Sequence, residues 1–312
     1  MLDLVNRIHC RSVEQFRDAL ASIWDVEITQ SDAGPVDIVM SSRAVGDCLV
    51  YGGSANRTLL CSGQRSDDLW TISPITRGGI GSWYRGQQLD EGDILMLNPR
   101  GDVYQQIAAG HRQEAISIPV ELAERIVQAE YQSSAEDLLA HWYVKSDQRT
   151  AAHIVRIVRK LLSEPGTDRG RTSAGVDLAG KVIALTQQAG PLRDAPPNMA
   201  LRRRIVGRAE ELIRSRLDDP PSVTELCEVT CASRRLLFYA FKELLGRSPY
   251  AHAKVLRLHA ARRRILARRN ERCVQQVGFD LGFWHPGQFA IDYARLFGES
   301  PSKTRLDSRG KT

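Results

Sequence analysis

The sequence predicts an α+β chain: an antiparallel β-barrel followed by helices in the first half, and an all-helical second half. Three observations carry this reading. Between about 25 and 118, short β-branched or alternating runs recur between turn clusters, the pattern of many short strands. From Pro119 onward the apolar residues change to helical spacing. Charge then divides the chain: residues 201–312 hold 23 Lys+Arg against 12 Asp+Glu, a net +11, which leaves 20 against 25, or −5, for residues 1–200. A basic helical module that binds polyanions, attached to an acidic module that does not, accounts for the split.

At 312 residues the chain is long enough for two domains, each with its own core. Its 42% hydrophobic and 26% charged residues exclude a disordered chain. No apolar run approaches the roughly 18 residues of a membrane span, and the start, MLDLVNRIHCRSVEQF, has neither a basic nor an apolar leader region. The expected location is the cytoplasm, with no membrane partner. Cys10, Cys48, Cys61, Cys227, Cys231 and Cys273 form no CxxC pair, which favours reduced thiols over disulfides or zinc.

In chain order, the strand runs are VEIT, VDIVM, CLVYGG, RTLLC, LWTIS, GIGSWY, DILML, VYQQIA and EAISIP. Turn clusters such as Asp32-Ala33-Gly34-Pro35 separate them, and Asp90-Glu91-Gly92-Asp93 reads as a hairpin turn. Helices follow at VELAERIVQAE, SAEDLLAHWY, QRTAAHIVRIVRKLL and AGVDLAGKVIALTQQ. Along them Leu122, Ile126, Val127, Ile154, Val158 and Leu161 suit either a dimer seam or an internal bundle. Gly190, Pro191, Pro196 and Pro197 mark a boundary. The expected division is a first domain at 1–188 (barrel about 25–118, helices about 119–188), a linker at 189–200 and a second domain at 201–308.

The second half reads as helix throughout, with stripes at Ile205, Ala209, Leu212 and Ile213 and at Val255, Leu258, Ala261 and Ile265. Within it, Phe241-Lys-Glu-Leu-Leu-Gly246-Arg-Ser-Pro249 recurs 52 residues later as Tyr293-Ala-Arg-Leu-Phe-Gly298-Glu-Ser-Pro301. Each copy is the last turn of a helix, a Gly where positive φ is needed, and a Ser-Pro that starts the next element. A short helix and a tight turn precede each, with Ser233 and His285 at matching offsets and one extra residue in the second turn. Cys227 and Gly278 take the small position where the first helix approaches the second. Both units therefore read as helix-turn-helix, joined by an Arg-rich helix at about 250–268. Each can place a helix in the major groove, about 34 Å apart if both lie on one duplex face.

At this point the segment from about 202 to 306 resembles the DNA-binding domain of the AraC/XylS family of bacterial transcription regulators. The matching residues are Leu226, Ser233, Leu237, Phe241-Lys242, Gly246-x-Ser248-Pro249, Arg257-Leu258-x-x-Ala261-Arg262, Gly282-Phe283, Phe289 and Phe297-Gly298-x-Ser300-Pro301. The first 200 residues are similar to the family's sensor and dimerisation domain in layout alone. The resemblance implies sequence-specific binding of double-stranded operator DNA, a small-molecule effector, RNA polymerase as a partner, a homodimer, no cofactor and no enzymatic activity. It assigns base reading to Arg234, Arg235, Phe238 and Tyr239 in the first unit and to His285, Gly287, Gln288 and Ile291 in the second. Phosphate contacts fall to Ser233, Lys242, Arg262 and Lys303. An Arg near a helix start can hold guanine O6 and N7, worth about 1–3 kcal/mol of discrimination, while aromatics meet thymine methyls. Family members commonly have Arg in place of Ile291, Lys in place of Ala294 and an aromatic in place of Thr304. The first unit is therefore expected to supply most of the base discrimination.

Bland readings stand beside these. Phe238 and Tyr239 could pack on the linker helix, and Arg262 to Arg264 could be a solvated face. Cys227 and Cys231 read as core packing rather than a thiol pair. In the cupin-like first half, His9, His111, His141 and His153 form no metal-binding cluster, which argues against the alternative of a barrel enzyme fused to a DNA-binding tail. Trp70, Arg77, Trp83 and Tyr84, with Arg85, could line an effector pocket or simply pack strands. A constitutive regulator whose first half only dimerises is the remaining alternative.

Overall fold

The computed structural model describes residues 5–78, 81–131, 142–163, 171–190, 199–267 and 273–309. The expected helix at SAEDLLAHWY, His141, most of the expected linker, Arg268 and Arg269 lie outside them in whole or in part. A sheet-rich first half and a helical second half are both present.

The first half begins with β1 (Asn6–Cys10) and α1 (Val13–Leu20), whose N-cap Ser12 accepts from the Gln15 amide. Next come β2 (Trp24–Gln30), β3 (Ile38–Val45), β4 (Cys48–Ala55), β5 (Leu59–Arg65) and β6 (Leu69–Arg77). These are followed by β7 (Trp83–Tyr84), β8 (Gln87–Gln88), β9 (Asp93–Leu97), β10 (Asp102–Ile107) and β11 (Arg112–Pro119). Then come α2 (Val120–Tyr131), β12 (Tyr143–Ser146), α3 (Gln148–Ser163) and α4 (Arg171–Gln188).

The strands make two sheets, ordered β1-β3-β4-β11-β6-β9-β12 and β2-β5-β10-β7-β8. Every pairing is antiparallel. They do not close into the expected barrel. Helix α1 packs on both β1 and β2, one edge strand from each sheet, and its Val13, Phe16 and Leu20 join the core there. Side chains thus occupy the seam that closure would need ladder hydrogen bonds to bridge. Between the sheets lies one core, with Ile38, Met40, Tyr51 and Ala115 facing Val26, Ile28, Cys61, Tyr84 and Val103.

A second core covers the other face of the larger sheet. Trp70, Ile72, Ile94, Met96 and Ile116 meet Leu122, Ile126, Val127, Ile154, Val158, Val182 and Ile183 from α2, α3 and α4. The candidate seam residues are therefore internal packing, with Leu161 partly buried at its rim. Because both faces of this sheet are covered, β9 is buried at all five positions and shows no alternation. The Asp90–Asp93 turn is present, with the Asp90 amide donating to Asp93 Oδ2 at 2.8 Å. It carries the chain from the smaller sheet to the larger one and does not close a hairpin.

The second half holds α5 (Met199–Ser215), α6 (Val223–Thr230), α7 (Arg234–Leu245), α8 (Pro249–Leu266), α9 (Val274–Phe279), α10 (Pro286–Phe297) and α11 (Pro301–Arg309). One cluster joins Ile205, Val206 and Ala209 of α5 to Leu226, Leu237 and Phe241, and Leu60, Trp83 and Tyr104 of the smaller sheet pack into it. A separate cluster joins Leu258, Ala261 and Ile265 of α8 to Val277, Phe289 and Tyr293. Among the described residues, no helix is long and apolar enough to cross a membrane.

Candidate nucleic-acid interface

Each helix pair is set by local chemistry. Ser222 and Glu225 form a reciprocal capping box at the start of α6, satisfying two otherwise orphaned amides. Cys231 then takes a left-handed conformation, φ 52°, which turns the chain within three residues. Ser233 starts α7 by accepting from the Leu236 amide at 3.3 Å. Gly246, φ 70°, ends α7, as Gly298, φ 75°, ends α10. In the second unit Pro286 occupies the first turn of α10, and His285 at its N-cap makes no side-chain cap bond. A Cβ on Gly278 would sit 3.2 Å from the Phe289 ring, a tight contact, so a small residue suits the close approach of this helix pair.

These backbones sort the side chains. In α7, Leu237, Ala240, Phe241 and Leu244 are buried, while Arg234, Arg235, Tyr239 and Lys242 are exposed and Phe238 is half-buried. Tyr239 is 52% exposed. The Arg234 guanidinium stacks 5.5 Å from the Phe238 ring centre and the Arg202 guanidinium 4.8 Å from that of Tyr239, so each aromatic is capped by a cation. Phe238 also meets Tyr250 at the start of α8 edge-on, at 6.4 Å. In α10, Phe289 and Tyr293 are buried, whereas His285, Gly287 and Gln288 are exposed and Ile291 is 55% exposed. The two outward faces offer cations and aromatics in the first unit, and imidazole, amide and apolar surface in the second.

Among the expected phosphate contacts, Ser233 is an exposed cap and Lys303 an exposed residue in the first turn of α11. Lys242 sends its ammonium to the Gly246 carbonyl at 3.1 Å. Arg262 is placed elsewhere. It is 9% exposed, donates to Glu299 at 2.7 Å, lies 3.5 Å from Glu14 and stacks 4.8 Å from the Phe297 ring. Two half-buried carboxylates and an aromatic face hold its guanidinium, which leaves little of it open to a phosphate. Thr304 is buried between Tyr293 and Glu299 at 3.0 and 2.8 Å. Arg257 likewise donates to the Leu281 carbonyl at 2.6 Å and stacks on Phe283 at 4.3 Å, fixing the second turn. Cys227 packs partly against the first unit's core, whereas Cys231 is exposed rather than core.

Trp284 was not anticipated. It is 72% exposed, beside His285, and its ring contacts Phe279. An aromatic that breaks the apolar period just ahead of a Pro at helix position N1 was the available signal.

The four expected effector residues are not brought together. Trp70 faces α2, α3 and α4, Tyr84 lies between the sheets, Trp83 packs on the helical half, and Arg77 is exposed at the end of β6. Arg85 partners Tyr84's neighbourhood instead, stacking 5.9 Å from Trp142. A different cavity of about 80 Å³ opens between the sheets, lined by Trp24, Ile38, Met40, Tyr51, Cys61, Gln105, His111 and Gln113 among others. Its polar end is one network: His111 meets Ser82 and Gln113 at 3.0 Å each, Gln105 donates to Gln113 at 2.8 Å, and Gln113 donates to Ser73 at 2.7 Å. Burial lowers the His111 pKa, which favours the neutral ring. Among the described residues, no group of three His, Cys, Asp or Glu could hold a metal.

A family profile described as a helix-turn-helix domain matches residues 226–307. The chain is 26% identical over 170 residues to the HTH-type transcriptional regulator ArgR of Pseudomonas aeruginosa, covering 53% of this chain and 50% of that one. It is 33% identical over 98 residues to XylDLEGF operon transcriptional activator 3 of Pseudomonas putida, covering 31% of this chain and 30% of that one. The matched region thus spans half or less of these curated relatives. Among solved structures, a probable AraC family transcriptional regulator from Rhodopseudomonas palustris is 34% identical, covering 33% of this chain and 96% of its own, with a TM-score of 0.32. An AraC-type regulator from Chromobacterium violaceum is 25% identical, covering 35% and 95%, with a TM-score of 0.33.

Proposed function

Because the chain belongs to the AraC/XylS family of helix-turn-helix transcription regulators, we propose that it reads one operator with both units at once and that a small molecule held by its first half modulates this. The observation that carries DNA reading is the paired arrangement of α7 and α10. Both recognition helices bury an apolar back on α8 and turn Arg234, Arg235, Tyr239, His285, Gln288 and Ile291 outward. Arg235 and Arg234 discriminate guanine, and the second unit reads by Gln288, His285 and apolar contact through Ile291. Ser233 and Lys303 hold phosphates. The sensing domain extends to 188 and the DNA-binding domain starts at 201, with RNA polymerase and a second copy of the chain as protein partners in the cytoplasm.

The effector site is the cavity between the sheets. Its apolar walls end in the His111, Gln105 and Gln113 network, which offers donors and acceptors to one polar group of a small ligand. At about 80 Å³ it is smaller than the roughly 150 Å³ cavity that accommodates benzene, so binding requires side chains to move. The test of DNA reading is titration of the full chain onto duplexes selected from a random pool at several salt concentrations. Affinity falls steeply with salt, with a log–log slope set by the phosphates neutralised. Salt-independent binding, or no preference for any selected sequence, refutes the function. A ligand-induced rise in melting temperature that Ala55→Phe abolishes tests the cavity.

A further inference from the structure

The two reading units have separate cores, which share Leu217 at their rims. Helix α8 joins them covalently, and a second link comes from the other half of the chain. Gln30 closes β2 and is buried, 1% exposed. Its side-chain amide donates to the Leu296 carbonyl in the last turn of α10 at 2.7 Å, and to the Asp32 and Gly34 carbonyls at 2.7 and 2.5 Å. The Gln30 carbonyl accepts from His259 Nε2 in the middle of α8 at 3.1 Å. The Gly34 amide donates to Arg295 and Leu296 carbonyls at 2.9 and 3.1 Å. These carbonyls belong to the last turn of a helix, which lacks intrahelical donors. Pro35 lies against Gly298. On the first unit, Arg247, the residue after the Gly246 cap, donates to the Ser31 carbonyl at 3.1 Å.

One six-residue segment of the first half therefore touches the C-terminal ends of both recognition helices and the helix between them. The segment is itself anchored: the Thr58 amide donates to Asp32 at 2.8 Å, and the Ser31 amide donates to the Thr58 carbonyl at 2.8 Å. It grips the ends away from Arg234, Arg235, Gln288 and Ile291, all of which stay exposed. A contact that blocked DNA would cover those faces. This one leaves them open while fixing the two units to a common frame.

We infer that Gln30–Pro35 is a spacer that sets the distance and angle between the two reading units, so that the first half of the chain determines which operator half-site spacing is accepted. Gln30 is then a positioning residue for DNA recognition. The inference rests on the proposed reading of one duplex by both units. Successive base pairs rotate the half-site by about 34–36° and shift it by about 3.4 Å, so a rigid pair of units fits one spacing and a loosened pair fits several.

The test uses the full chain and the duplex it selects from a random pool, remade with the interval between half-sites changed by one or two base pairs. Wild type binds one interval best and loses about tenfold at each changed interval. Gln30→Met keeps the side-chain volume and removes the donors. Arg247→Ala removes the contact on the first unit and guards against a Gln30 variant that misfolds. Each variant flattens the spacing profile to within about threefold, chiefly by losing five- to tenfold at the best interval. Profiles that keep the wild-type shape, merely scaled in affinity, overturn the spacer role while leaving DNA reading intact. No sequence preference in the wild type overturns the DNA-reading function, and the spacer with it.

Discussion

Pro35 lies against Gly298 so closely that a Cβ at position 298 would stand 2.8 Å from its Cδ and 2.9 Å from its nitrogen. The equivalent cap on the first recognition helix, Gly246, has nothing within 4 Å of such a Cβ. Both glycines are left-handed, with φ 70° and 75°, so alanine at either costs about 1–2 kcal/mol in backbone strain. At Gly298 steric overlap with Pro35 adds about 1–3 kcal/mol, or else the halves separate there. Gly298→Ala is therefore expected to lower the melting temperature of the full chain clearly more than Gly246→Ala. Equal losses in the two variants would show that Pro35 does not pack on the cap in solution.

The junction between the halves also holds a buried carboxylate. Glu210 accepts from Arg214 Nη2 at 2.7 Å and from the Tyr104 hydroxyl at 3.1 Å, with His252 Nε2 3.5 Å away. Burial alone pushes this carboxyl up, but His252 and Arg214 outweigh it and bring the pKa down to about 2. A carboxyl with a depressed folded pKa stabilises the fold fully above its ordinary value of 4.5 and loses that contribution as pH falls towards about 2. Glu210→Gln should cost about 1–3 kcal/mol near neutral pH, because Arg214 loses its buried carboxylate partner while keeping its ion pair with Glu27. It should also remove part of the stability loss between pH 4.5 and 2. A variant that melts like wild type at pH 7 contradicts this.

His259 predicts pH dependence in a higher window. Burial is the main cause that holds its pKa down to about 3; the Gln30 carbonyl opposes this, and Arg263, Arg262 and Arg214 reinforce it. Glu14, Arg17 and Glu27 line the same small cleft. The unfolded ring takes up a proton near 6.5 while the folded one stays neutral, so stability is full above pH 6.5 and falls as pH drops towards 3. The slope is at most about 1.4 kcal/mol per pH unit. The protection of the Gly34 amide relative to a free peptide at the same pH should therefore fall in that window, and His259→Gln, which does not titrate, should flatten it. An unchanged pH profile in that variant would place the sensitivity elsewhere.

The contrast between the helical and sheet halves shows what the sequence made legible. Both helix-turn-helix units could be read because their signals are local: Ser233, Gly246, Ser248-Pro249 and their repeats act within one helical turn. Barrel closure was not readable, since it depends on which edge strands pair, and α1 lies outside the run of alternating segments. The strand β12 follows a segment with helical spacing, and its four residues pair with β9, far away in sequence. Trp70 and Trp83 sit on strands whose alternation reveals two faces but not what covers them. Arg262 looked like a phosphate ligand because its partner Glu14 lies 248 residues earlier.

The two reading faces differ in what they offer a base. Arg235 is exposed near the start of α7, where a guanidinium can reach both guanine acceptors, whereas α10 presents the apolar Ile291. Arg235→Ala is expected to relax preference at one base pair by about 1–3 kcal/mol, or roughly 5- to 150-fold, because a bidentate contact is lost. Gln288→Ala should relax another position by less, since half-site recognition in the second unit is shared with His285 and with apolar contact from Ile291. Neither change should alter stability beyond about 0.5 kcal/mol, as both side chains are exposed. Binding to a panel of single-base operator variants reads both effects together. Equal loss of preference in the two variants would mean that the second unit carries its share of base discrimination without the guanidinium, and would shift the search for its reader to the exposed indole of Trp284.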